Sequence, residues 1–162
     1  MRAGGFGGVT LARHRVVCTR PLPPAVHARL DRFFEVSCAE LDLIDACEEG
    51  DDIHQGLQVD PCADFAGVSA LLIDEGLRVD ARLLARLPLL RAICSVGPAH
   101  RHLDLGSLTQ AGIIATNTPA LDDDAAAGVA AENLIAAFGF GRLGGYPANL
   151  LNQDLACMGC CL

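Results

Sequence analysis

Short apolar runs alternate with segments of helical spacing along much of the chain. The short run Arg15–Thr19 predicts a strand, and the nearly continuous run Gly67–Ile73 is of the kind expected for a strand covered on both faces of a sheet. Further strands are predicted at Val36–Cys38, Leu89–Cys94 and Ile113–Thr116. The pattern therefore predicts about five strands.

Between the strands, apolar residues recur every three or four positions, as on amphipathic helices. Helices are predicted over Ala25–Phe34, Leu41–Cys47, Val79–Leu87 and Asp104–Gln110, and a longer Ala-rich helix over Asp122–Phe138. Strands that alternate with helices at this spacing form βαβ units and a parallel sheet. The expected fold is a flavodoxin-like, doubly wound α/β domain of about five parallel strands with a long C-terminal helix.

The chain divides into three expected parts. Residues 1–14 form a leader, residues 15–138 form the flavodoxin-like domain including its C-terminal helix, and residues 139–162 form a tail that contains Gly and Cys. The leader lacks the apolar core of a secretory signal. It carries Arg and no acidic residue, which leaves an organelle transit peptide as an alternative to the frayed terminus that we favour.

Composition narrows the expected partners and location. The 162 residues are 51% hydrophobic, enough for one core, and the net charge of −8 opposes binding to nucleic acid phosphates. The sequence contains no run of 18 apolar, uncharged residues, the length that a membrane-spanning helix needs. Five of the eight cysteines are scattered singly, which favours free buried thiols over a disulfide framework. We expect a cytoplasmic protein with no membrane contact.

The tail begins with a literal GxGxxG motif at Gly139, Gly141 and Gly144. A dinucleotide fingerprint needs a strand before these glycines and a helix that opens after them. The preceding residues belong to the Ala-rich helix pattern, and Pro147 would fall early in the required helix. We favour glycines that close a helix. The alternative, a nucleotide-binding loop, predicts a strand at Leu134–Phe138.

A second tail motif is the CxxC of Cys157 and Cys160. A structural zinc site needs four ligands, and no second CxxC or nearby HxxxH completes the set. A redox CxxC normally opens a helix after a strand, and the tail pattern provides neither. We assign no metal site.

The segment after the predicted fourth strand has features of an anion site. Ligands of open α/β sheets bind outside the carboxyl ends of the strands. The main-chain N–H groups of Val96 and Gly97 can donate to a carboxylate there, and Arg101, His100 or His102 can pair with it. A loop whose side chains are merely solvated is the open alternative.

Several segments resemble the substrate-binding domain of D-isomer-specific 2-hydroxyacid dehydrogenases. The opening strand, the fourth strand with its loop, the strand that ends in Asn-Thr-Pro, and two C-terminal stretches all look like segments of that family. These are Val16–Pro23, Leu87–Gly97, Leu103–Leu105, Ala111–Pro119, Ala130–Ala137 and Pro147–Asn152.

The resemblance implies a function and a set of roles. Members of the family transfer hydride between NAD(P)H and a 2-keto acid. The resemblance implies that the main chain of Val96 and Gly97 helps to hold the substrate carboxylate, and that Asn117, Thr118 and Pro119 lie near an interdomain hinge. The family's NAD-binding domain, with its catalytic Arg, Glu and His, would fall near Leu121–Ala127, where nothing intervenes. No catalytic residue is therefore assigned.

We thus expect the substrate-binding domain of an NAD(P)-dependent 2-hydroxyacid dehydrogenase, incomplete for catalysis alone, with a small 2-keto or 2-hydroxy acid as its ligand. The alternative is a non-enzymatic α/β module that binds small carboxylates or docks on a partner dehydrogenase. Apolar surface left where the second domain would dock favours association, so a homodimer is also expected.

Overall fold

The computed structural model describes residues 13–38, 65, 67–139 and 147–154. Five strands and four helices lie in this part of the chain, and a helix separates β1 from β2, β3 from β4 and β4 from β5. The strands are β1 (His14–Cys18), β2 (Phe34–Cys38), β3 (Val68–Ile73), β4 (Ala92–Ser95) and β5 (Ile114–Asn117); the helices are α1 (Pro24–Leu30), α2 (Ala81–Ala85), α3 (Leu105–Gln110) and α4 (Asp123–Ala137).

The five strands form one parallel sheet in the order β2-β1-β3-β4-β5. This order is that of flavodoxin-like doubly wound folds, in which helices cover both faces. The fold class expected from the sequence is confirmed.

Two separate apolar cores lie on the two faces of the sheet. On one face, Leu71 and Ile93 pack with Leu83 of α2 and Leu108 of α3. All six residues of β3 are buried, because this central strand is covered from both sides.

The other face is covered by α1 and α4. Its core joins Val16 and Leu72 of the sheet to Leu30 of α1 and to Ala130 and Leu134 of α4. Because the alanine side chains of α4 are small, the helix can pack close to the strands.

Two helix boundaries differ from the prediction. Helix α1 ends at Leu30, and Phe34 is the first residue of β2, paired with His14 of β1, with its side chain fully buried. The predicted helix included Phe34 because Phe34 continues the helical spacing of apolar residues. In the structure Phe34 packs into the core as the first residue of a strand. Similarly, α2 begins only after Val79, whose N–H donates to the His102 carbonyl.

Part of the predicted tail packs on the domain. Residues 147–154 run beside β5, where the Leu151 N–H donates to the Ala115 carbonyl (2.8 Å) and the Asn117 N–H donates to the Asn149 carbonyl (3.3 Å). The buried side chain of Asn152 accepts from the Ala115 N–H (2.9 Å) and donates to the Ile113 carbonyl (2.7 Å). This segment therefore covers the β5 edge of the sheet.

Several predictions concern residues outside those described. They are the helix at Leu41–Cys47, most of the leader, Gly141 and Gly144, and the CxxC of Cys157 and Cys160. In the described part of the chain, no helix combines the length and apolarity needed to cross a membrane.

Candidate functional site

The loop that follows β4, Val96–His102, lies at the carboxyl end of the sheet and leads to α3. It turns at Gly97, whose φ of +120° is rarely adopted by residues that carry a Cβ. A Cβ built at this position would lie 3.2 Å from Oε1 of Glu75. The loop path thus depends on glycine for its backbone conformation and for the space beside Glu75.

Three hydrogen bonds tie this loop to the end of β5. The Gly97 N–H donates to Oγ1 of Thr118 (2.8 Å), and the Thr118 N–H donates back to the Gly97 carbonyl (3.2 Å). Nδ2 of Asn117 donates to the Pro98 carbonyl (2.9 Å). Of the residues predicted to bind the carboxylate, the structure therefore brings Gly97 next to Thr118, one of the predicted hinge residues. Asn117 contacts the loop at Pro98, while Pro119 is exposed beyond them.

Both main-chain donors named from the sequence are already engaged. The Val96 N–H donates to the Ile73 carbonyl (2.7 Å), and the Gly97 N–H is held by Thr118. Farther along the loop, the N–H groups of Ala99, His100 and Arg101 donate to no described residue. The side chains of His100 and Arg101 are exposed, so the outer part of the loop offers donors to solvent.

His102 differs from its two neighbours because its ring turns inward. Its Nε2 lies 2.9 Å from Oγ of Ser95, which is fully buried at the end of β4. Burial lowers the pKa of His102 below its ordinary value, although the charges of Glu75 and Asp74 oppose this effect. Burial therefore favours the neutral ring, and in that form a single hydrogen bond joins Nε2 to Oγ of Ser95.

Asn133 of α4 is a site residue that sequence reasoning did not assign. Its buried side chain donates from Nδ2 to the Asn117 carbonyl (3.1 Å) and lies 4.0 Å from Sγ of Cys94. The sequence signal for this role is an amide among the buried apolar residues of α4, such as Ala130 and Leu134. A buried amide requires hydrogen-bond partners. The contact fixes α4 against the end of β5.

The glycine motif follows a helix and not a strand. Helix α4 runs without interruption to Ala137, and Gly139 follows it with a φ of +76°, the conformation that commonly ends a helix. A nucleotide-binding loop would require a strand at Leu134–Phe138, and that alternative prediction is wrong. The prediction of a helix here is confirmed.

Carboxylates occupy the N-terminal ends of three described helices. Asp80 accepts from the Arg82 and Leu83 N–H groups, Asp104 from Ser107, and Asp122 from Ala125. One or two of the backbone donors at each of these helix ends are thus bonded internally, and the added negative charge opposes the binding of a phosphate. Among the described residues, no three His, Cys, Asp or Glu side chains cluster as metal ligands.

Residues 16–142 match the sequence profile of the catalytic domain of D-isomer specific 2-hydroxyacid dehydrogenases. A comparison with curated protein sequences returns no match.

Among solved structures, the PH0520 protein from Pyrococcus horikoshii is similar with a TM-score of 0.52 and 13% identity, over 78% of this chain and 31% of that one. A Polaromonas protein assigned to the NAD-binding D-isomer specific 2-hydroxyacid dehydrogenases has a TM-score of 0.50 and 20% identity, over 78% of this chain and 36% of that one. The NADPH-dependent glyoxylate/hydroxypyruvate reductase of Sinorhizobium meliloti has a TM-score of 0.47 and 24% identity, over 65% of this chain and 28% of that one.

The chain thus spans about a third of the length of these proteins. At these identities the likeness concerns the fold, whereas the profile match extends over most of the chain, from β1 past the end of α4. The chain therefore belongs to the D-isomer specific 2-hydroxyacid dehydrogenase family, through the catalytic domain of that family.

Proposed function

We propose that this domain binds the carboxylate of a small 2-keto or 2-hydroxy acid on the loop Val96–His102. The observation that carries the proposal is the fixed base of this loop combined with its exposed outer residues. Gly97 and Pro98 are hydrogen-bonded to the end of β5, while Arg101 presents a guanidinium to solvent. A fixed loop loses little conformational entropy when a ligand binds.

Arg101 supplies the main attraction in this proposal. A guanidinium pairs with a carboxylate through two parallel hydrogen bonds, and the N–H groups of Ala99 and His100 add further donors. Val96 and Gly97 form the base of the site. The Gly97 N–H reaches the ligand only by exchanging its bond to the Thr118 hydroxyl.

The electrostatic surroundings favour modest affinity. The net charge of −8 repels a carboxylate at long range, and Glu75 lies beside Gly97 at the base of the loop. Binding therefore depends strongly on the positive charge of Arg101, which makes that residue the informative one to change.

NAD(P) is the cofactor of the family, but the described residues do not fit it. The α2, α3 and α4 N-termini are closed by aspartates, and α1 begins at Pro24, which has no N–H to donate. A dinucleotide diphosphate would meet carboxylates at three of these four ends. We propose that acid binding is the contribution of this domain to the reaction, with hydride transfer dependent on groups outside the described residues.

The test is calorimetric titration of the reduced protein with glyoxylate or hydroxypyruvate, and separately with NADH, while absorbance is followed for turnover. We expect saturable heat with the oxoacid. Arg101→Gln should weaken oxoacid binding at least about tenfold, the equivalent of about 1.4 kcal/mol. Arg82→Gln is the matched control, because it removes the same charge from an exposed position on α2.

The possible results have distinct meanings. No oxoacid heat, or equal weakening by both variants, would overturn the assignment of the acid site to this loop. Saturable NADH binding with turnover would overturn the proposal that NAD(P) does not fit. Oxoacid binding with neither NADH binding nor turnover supports the proposal.

A further inference from the structure

Two cysteines lie side by side on β1 and β2, the neighbouring strands at one side of the sheet that the described residues form. Cys18, the last residue of β1, is the register partner of Cys38, the last residue of the edge strand β2. Cys18 is buried and Cys38 is exposed, and both are free thiols. Cys38 is also close enough to raise the pKa of the Cys18 thiol.

Register partners on adjacent strands have the spacing that a disulfide requires. Neighbouring strands lie about 4.8 Å apart, and disulfides join Cα atoms about 4.4–6.8 Å apart. Register partners also project to the same face of the sheet. We propose that Cys18 and Cys38 are a redox-modification site, in which the exposed thiol reacts first with a small-molecule disulfide and the buried thiol then closes a cross-strand disulfide.

The reaction balances in two exchange steps. The Cys38 thiolate attacks one sulfur of the small disulfide, whose S–S bond breaks and releases one thiolate, leaving a mixed disulfide on Cys38. Cys18 then loses its proton to solvent and attacks Sγ of Cys38, which releases the second small thiolate. Two protein thiols are oxidised, one small disulfide is reduced to two thiols, and the two protons end on those thiols.

The surroundings of the two thiols set this order. Burial raises the pKa of Cys18 to about 12, and the neighbouring Cys38 adds to the effect. Cys18 is therefore almost wholly protonated at neutral pH and has no exposed surface on which a small disulfide can react. Only the thiolate attacks. While the pH is below that pKa, each increase of one pH unit should therefore make closure by Cys18 about tenfold faster.

The third described cysteine lacks such a partner. Cys94 is buried in β4, where its register partners are Leu72 of β3 and Thr116 of β5. Among the described cysteines, oxidation should therefore select the pair at the β1–β2 edge, and the bond would fasten the edge strand to the sheet at its carboxyl end.

The test is treatment of the folded protein with glutathione disulfide, followed by alkylation of the remaining thiols and digestion after glutamate without reduction. Cleavage at Glu35 and Glu40 leaves Cys18 alone on residues 1–35 and Cys38 alone on residues 36–40. We expect these two peptides to be joined, at a mass two hydrogens below their sum, and to separate on reduction. In time courses from the isolated mixed disulfide, closure should be about tenfold faster at pH 8 than at pH 7.

Cys38→Ser is the control, and in that variant Cys18 should stay unmodified while the fold is intact by circular dichroism. Three results would overturn the proposal: Cys38 joined to a different cysteine, Cys38 halted at the mixed disulfide, or Cys18 modified equally in Cys38→Ser. The last result would show that glutathione reaches Cys18 by opening of the sheet and not through Cys38.

Discussion

Gly97 is the residue on which the loop after β4 depends most. Its φ of +120° and the 3.2 Å approach of Glu75 to a Cβ built there both restrict the position to glycine. The sequence marked Gly97 only as a possible donor, because a single glycine in a chain with 17 gives no sign of its φ. Its conformation is set by the bonds that join the loop to Thr118.

We predict that Gly97→Ala lowers the free energy of unfolding by about 1–3 kcal/mol, the usual cost of a strained backbone conformation. Gly128→Ala is the matched comparison, since Gly128 lies inside α4 and a Cβ there meets nothing within 4 Å. That change should raise the free energy of unfolding by about 0.5–1 kcal/mol through helix propensity. Urea denaturation of both variants measures the two effects, and equal changes would contradict the strain at Gly97.

His102 should make stability fall at mildly acidic pH. Because burial lowers its folded pKa below that of the unfolded chain, the unfolded chain binds more protons between the two values. The free energy of unfolding therefore decreases as the pH falls from about 6.5 through the folded pKa, and the contribution is fully present above that window. Unfolding at pH 7.5 and pH 5 should show a smaller loss in His102→Asn than in the unchanged protein. His100→Asn, at an exposed position two residues away, should keep most of the loss, because the His100 charge is the smallest of the effects on the pKa of His102.

At the scale of elements, the central strand β3 was predicted more closely than the edge strand β2 or than β4, which begins at Ala92 and not at the predicted Leu89. The predicted strand over Gly67–Ile73 and the observed β3 nearly coincide, since burial on both faces makes the whole strand apolar. At the edge, the α1 prediction included Phe34, which opens β2. The spacing of apolar residues does not distinguish the last turn of a helix from the first residue of a strand that fills the same core.

The segment beside β5 is held by one buried side chain in addition to its main-chain hydrogen bonds. Asn152 bonds the Ala115 N–H and the Ile113 carbonyl, and the amide is buried. We predict that Asn152→Ala lowers the free energy of unfolding by about 2 kcal/mol, because it leaves buried backbone groups without partners. Gln153→Ala, at the adjacent exposed position, should change it by less than about 0.5 kcal/mol. Thermal and urea unfolding of the two variants measure the difference. Equal losses in both would contradict a specific role for the Asn152 hydrogen bonds.

At the scale of the whole molecule, the two edges of the sheet differ in what covers them. Residues 147–154 cover the β5 edge through main-chain and side-chain hydrogen bonds, whereas β2 is the last strand at the opposite side among the described residues. An uncovered edge offers unpaired N–H and C=O groups to a second chain. We therefore expect the packing of this segment to limit association through the β5 edge.

We predict that deletion of residues 147–162 promotes self-association, because it exposes the N–H and carbonyl groups of β5 that Leu151 and Asn152 satisfy. Sedimentation velocity at several concentrations should show a larger oligomer for the deleted form than for the full chain. Asn152→Ala in the full chain is the comparison that keeps the covering segment. A deleted form with an unchanged sedimentation coefficient would show that this edge does not drive association.

The sequence by itself determined the class of fold, because continuous apolar strands and amphipathic helices follow from local spacing and from which faces must be buried. It also determined the long helix α4 and, through recognisable segments, the family. Only the tertiary structure decided which groups meet at the carboxyl ends of the strands. The Gly97–Thr118 and Ser95–His102 bonds, the contact of Asn133 with Asn117, and the pairing of Cys18 with Cys38 join residues from different elements. Such contacts depend on strand order and register, which the spacing of residues along one segment does not encode.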